Sequence, residues 1–179
     1  MSLLVVLGVV FLLAIVLYNR LVSLRNQSDE AWSGIDVQLK RRHDLIPNLV
    51  DTVKGYAQHE QGTLEKVIQA RTAALSSSGV EAKAAAENQL TGALKSIFAL
   101  AESYPDLKAS QSFAELQRAL SEIEEALQLA RRFYNAVVRD LNTACESFPS
   151  VIIANSFGFS KRQYFEIADV ERTNVQVKF

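Results

Sequence analysis

Apolar and polar positions divide the chain into one unbroken apolar run followed by long stretches of helical periodicity. From Leu3 to Tyr18 the run LLVVLGVVFLLAIVLY carries no charged side chain. A bilayer core takes about 20 residues of helix, with a range of ~17–25, so this run and its immediate flanks suffice to span one. Downstream, apolar residues recur in steps of three and four at Leu21, Leu24, Ala31, Ile35, Leu39, Ile46, Leu49, Val53, Tyr56, Leu64, Val67 and Ala74. That spacing keeps one face of a helix apolar. It predicts a single helix from the membrane to about Leu75. Pro47 lacks the N–H that would bond the His43 carbonyl, and it predicts a kink there.

Ser76-Ser77-Ser78-Gly79 ends that helix, and the Ala-rich stretch from Val80 to Ser103 predicts a second, with a stripe at Ala86, Leu90, Leu94, Ile97 and Ala101. Tyr104-Pro105-Asp106 stops it, because a residue before proline avoids the helical region. The third helix has a heptad stripe: Phe113, Leu116, Leu120, Ile123, Leu127, Ala130, Tyr134, Val137, Leu141, Ala144 and Phe148. Ser112 and Glu115 have the spacing of a capping box at its start. Beyond Pro149, VIIANSFGF predicts a short helix over the bundle end, and the remainder predicts an extended tail. The fold expected is therefore all-α: a transmembrane anchor (1–19) continuous with an antiparallel up-and-down bundle of three long helices (20–163), then a tail (164–179).

Charge alters this picture in two places. Net charge is −1 over 179 residues, which does not suggest a nucleic-acid partner. No Lys or Arg precedes the apolar run and no small-residue cleavage site follows it, so an uncleaved anchor is expected rather than a signal peptide. Arg20, Arg25 and Lys40 to Arg42 follow the span. The positive-inside rule then puts the N-terminus outside and the bundle in the cytoplasm, at the cell (inner) membrane.

Candidate chemistry is sparse. Lys40, Arg41, Arg42 and His43 form a basic cluster that could receive an anion or a lipid head group, against a plainer reading as a charged face beside the kink. Asp36, His43, His59 and Glu60 do not have metal-ligand spacing: His43 and His59 lie more than four turns apart on one helix. Cys145, on the apolar side of the third helix, reads as a buried thiol. Leu24, Ala31, Trp32 and Ile35 lie near the membrane, below the expected reach of the other helices, and are candidate contacts in a homo-oligomer, although Trp32, a large aromatic on a helix seam, also reads as a core residue. No phosphate loop, G-x-S-x-G or Walker sequence occurs, and no cofactor is expected.

Long segments resemble a known family. YNRLVSLRNQSDEAWSGIDVQLKRRHDLIPNLVDTVKGYAQHEQGTLEKV, AESYPDLKASQSFAELQ, ARRFYNAVVRDLNT and FPSVIIA are similar to the LemA family. The resemblance implies a single-pass bacterial membrane protein with a cytoplasmic up-and-down helical domain, and it carries no catalytic residues. Together these features predict a membrane-tethered, self-associating scaffold without catalytic activity, whose partners are the lipid bilayer, further copies of itself and other membrane proteins. The rival expectation is an adaptor or sensor that binds an anionic ligand or lipid through Arg41, Arg42 and His43.

Overall fold

A computed structural model describes residues 2–166, and in them every regular element is a helix. In chain order these are α1 (Ser2–Tyr56), α2 (Gln61–Ser76), α3 (Val80–Ala101), α4 (Pro105–Lys108), α5 (Gln111–Glu146) and α6 (Ser150–Phe157). The all-α architecture and the long apolar N-terminal helix agree with expectation. Two compact units are distinguishable, one built from α1 up to Lys40 with Ile123–Tyr164, the other from Arg41–Glu122.

The second unit differs from expectation chiefly in where its first helix ends. Its first helix does not continue to Leu75: α1 passes through Pro47 without interruption and ends at Tyr56. The Ala57 amide still bonds the Val53 carbonyl at 2.9 Å, and the Glu60 amide then turns back onto the Ala57 carbonyl at 3.1 Å. Buried residues from α1, α2, α3 and the start of α5 share one core, among them Ile46, Leu49, Val53, Leu64, Val67, Leu90, Ile97, Phe113 and Leu120. Arg71 of α2 reaches back to His43 of α1. Glu87 of α3 meets the same residue, and Phe98 near the end of α3 faces Phe113 near the start of α5, ring centroids 6.3 Å apart. These pairings run the four helices up, down, up and down, so the unit is a four-helix bundle. The short α4 buries Leu107 as a plug between α3 and α5. Ser112 lies inside α5 instead of capping it, and Glu115 accepts a bond from Gln111.

In the first unit α1 and α5 pack antiparallel. Trp32 packs its ring against that of Tyr134, centroids 5.4 Å apart and planes tilted by 58°, and Leu21 joins Leu141, Ala144 and Cys145 in one buried cluster. Ala154 of α6 completes that cluster, so the short helix expected after Pro149 forms and covers this end. Gly158 closes α6 at φ +71, a left-handed conformation costly for any residue with a Cβ. From there residues 159–164 run extended along α5. Asn142 fastens them by two bonds, accepting from the Arg162 amide at 2.8 Å and donating to the Arg162 carbonyl at 3.0 Å. The Tyr134 hydroxyl donates to the Gln163 carbonyl at 2.9 Å, and the Arg162 guanidinium meets Asp29 at 2.6 Å. Most of the expected tail (164–179) lies outside the described residues.

Candidate functional site

Helical geometry splits the basic cluster expected at 40–43. Four consecutive residues of a helix point in directions spread over about 300° of its circumference. Lys40 and Arg41 are exposed, whereas Arg42 and His43 turn into the second unit and are buried. They meet Glu87, whose side chain is 0% exposed: Arg42 Nη1 lies 3.3 Å from one carboxyl oxygen and His43 Nε2 lies 2.7 Å from the other. Arg42 Nη2 also donates to the Thr91 hydroxyl at 2.7 Å. The His43 Nε2 and the Glu87 carboxyl oxygen thus share one hydrogen bond across the α1–α3 contact. A buried charge is tolerable when it is paired and hydrogen-bonded, and each member here supplies what the others need. The four residues do not form an open anion-binding surface, because half of the cluster is engaged within the protein.

A second contact on the same turn answers the problem posed by Pro47. Proline leaves the carbonyl of His43 without its helical donor. Arg71 Nε of α2 donates to that carbonyl at 2.9 Å. The helix therefore continues because a side chain from the neighbouring helix stands in for the missing amide. Glu87, Thr91 and Arg71 were not foreseen from the sequence. An acid in an Ala-rich helix reads as a solvated charge, although Glu87 lies one turn before Leu90 and Thr91 on the stripe that packs inward.

In the first unit, Ala31 and Ile35 are buried and Leu24 and Trp32 half-buried, with α5 and α6 supplying cover. The premise that these four residues lack intrachain cover is corrected by the length of α5: its 36 residues run far enough to pair with α1 down to Leu21. Cys145 is buried, as expected. Burial, followed by the negative charge of Glu146, raises its thiol above the usual range. Burial likewise raises the Tyr134 phenol, with Arg162 opposing and Asp29 assisting. At the far end of the second unit the Tyr104 hydroxyl donates to Glu60 at 3.1 Å, joining the end of α3 to the α1–α2 turn. Glu60 is thus committed to a fastening contact. Among the described residues no three His, Cys, Asp or Glu side chains are grouped to hold a metal ion. Every buried side-chain nitrogen or oxygen among them has a hydrogen-bond partner.

Fold and site together define a class: a helical-bundle protein whose first helix carries a candidate membrane span, and whose buried polar groups lock helices to one another. The chain belongs to the LemA family, which it matches over residues 31–179. It is 28% identical to Protein LemA of Metamycoplasma hominis over 162 aligned residues, covering 88% of this chain and 72% of that protein. It is also 23% identical to Magnetosome protein MamQ 2 of Paramagnetospirillum magneticum over 189 aligned residues, covering 90% of this chain and 70% of that protein. With Magnetosome protein MamQ of Magnetospirillum gryphiswaldense it shares 21% identity over 174 residues, 83% of this chain and 64% of the relative.

Proposed function

We propose that this LemA-family protein is a membrane-anchored interaction module: it holds its helical units at the cytoplasmic face of the bilayer and acts by presenting surfaces to other proteins, not by catalysis. One observation carries the anchoring. Large apolar side chains from Leu3 to Val16 are exposed all round on a helix that continues unbroken into the folded domain. A helix that is apolar on every face needs either a protein core or lipid around it, and these residues have no core. The non-catalytic reading is supported by how the polar interior is used. Glu87, Arg42, His43 and Arg71 bond one another and the backbone, and the Cys145 thiol is held away from its reactive form. Arg20 and Arg25 beside the span support the cytoplasmic orientation.

The sensor alternative loses its ligand surface once Arg42 and His43 are engaged by Glu87. Self-association through Leu24, Ala31, Trp32 and Ile35 loses its motive, since these residues pack within the chain. Membrane fractionation tests the proposal. The full chain is expected to remain with membranes through a high-salt wash. A variant lacking residues 1–16 is expected in the soluble fraction with its helical circular dichroism intact, because the ring contacts of Tyr18 are kept. Release of the full chain by salt alone would overturn the anchor.

A further inference from the structure

We infer that Phe148, Ile152 and Phe157, on and beside α6, form a second contact with the bilayer, a shallow footing in its interfacial zone next to the span. The inference rests on α1 crossing the membrane as proposed above. These three side chains are 81%, 55% and 62% exposed. Isolated exposed apolar residues are ordinary, but three within ten residues at one end of a unit are not scattered. Ser150 and Ala154, four residues apart, are buried against the unit, so Ile152, about 200° round the helix from Ser150, lies on the face that points away from it, while Phe157 stays exposed as the last residue of α6, beside Tyr18.

Position identifies what these exposed side chains meet. Tyr18 closes the apolar run of α1 and stands where a spanning helix leaves the hydrocarbon. Its ring lies 4.9 Å from Phe157 and 5.8 Å from Phe159, both edge-on. The end of α6 is therefore level with the end of the span. Leu21, less than a turn of α1 past Tyr18, packs with Ala144 and Cys145, and Phe148 follows Cys145 by three residues, which brings it to the same height. Charge around the patch suits a phospholipid surface. Arg20 is exposed on α1, and the Arg25 guanidinium lies 5.3 Å over the Phe159 ring. The nearby acids are neutralised: Glu146 by Lys161 at 2.6 Å and Asp29 by Arg162. Aromatic rings flanked by basic side chains are the composition that settles at the headgroup boundary. A footing of three side chains adds little hold beside a spanning helix. Its effect is to fix how the unit is turned about α1.

The test uses the full chain in phospholipid vesicles. In a Trp32→Phe background, single tryptophans are introduced as Phe148→Trp, Ile152→Trp, Val10→Trp and Phe133→Trp. Phe133 is an exposed position on α5, twelve residues before Cys145 and so about 18 Å further along the helix. Where Trp32→Phe disturbs the contact with Tyr134, the signals are read as differences from protein that keeps Trp32. Lipids carrying a nitroxide just below the headgroup are expected to quench Phe148→Trp and Ile152→Trp at least about twofold more than Phe133→Trp, as for side chains at interfacial depth. Quenching of Val10→Trp alone would leave the anchor standing and overturn the footing. Failure to quench Val10→Trp would overturn the anchor and the footing with it. Protection of Phe148→Trp that grows with protein density and is insensitive to the nitroxide would assign the patch to a second copy, against the inference.

Discussion

At the residue scale, the protein uses its buried polar groups as fasteners, and Arg71 shows the logic most plainly. Its bond to the His43 carbonyl exists because Pro47 cannot supply one. Arg71→Met should therefore cost ~1–3 kcal/mol in urea unfolding, the penalty for leaving a buried acceptor unpaired. In a Pro47→Ala background the helix amide returns and the same substitution should cost less than ~0.5 kcal/mol, the range of an ordinary surface change. Equal costs in both backgrounds would show that Arg71 stabilises by something other than this bond. Cys145 gives a second expectation. Its folded-state pKa is raised, so its contribution to stability is present below the unfolded thiol's value and is lost as pH rises through the folded one. Iodoacetamide should label native protein slowly at mildly alkaline pH and label urea-unfolded protein much faster. Similar rates would mean an accessible thiol.

At the element scale, the two long helices were legible to different degrees. The stripe on α5 is a long-range heptad, and its buried members run from Phe113 through Leu127 and Tyr134 to Ala144, as its period predicts. Phe148 departs from it because α5 ends at Glu146, and beyond that point the helical period no longer assigns a face. Leu127→Asp should abolish cooperative unfolding or lower stability severely, since it buries an unpaired carboxylate. The exposed Glu125→Ala should change stability by under ~0.5 kcal/mol. Comparable losses would mean the faces of α5 are reversed. The end of α1 was harder to read. Ala57, Leu64 and Val67 are all buried on the bundle side, so the apolar phase carries across the turn as though no turn were there. The signal lay in the step from Tyr56 to Leu64, the longest in the stripe, filled after Ala57 by polar residues and Gly62. The triad around Glu87 could not be read at all: its members are 44 and 45 residues apart in sequence, and only the bundle brings them together.

At the scale of the whole molecule, the close grip on α1 bears on what the protein can reach. Leu21 is already fully buried three residues after Tyr18, so no slack chain separates the span from the folded unit. A domain on a flexible linker of n residues wanders over roughly 5–6 Å × √n and meets partners anywhere in that volume. Here that freedom is absent, so with α1 anchored as proposed any binding surface on this unit would be held at one altitude above the lipid. On the proposed interaction-module reading, a membrane-protein partner would be selected by stature as well as by chemistry, since a matching surface that stands taller or shorter would be out of register. Inserting a Gly-Ser segment between Asn19 and Arg20 should preserve membrane retention while broadening the distances measured by energy transfer from a label at Phe133 to a lipid-surface dye. An unchanged distribution would show that something other than α1 sets the height.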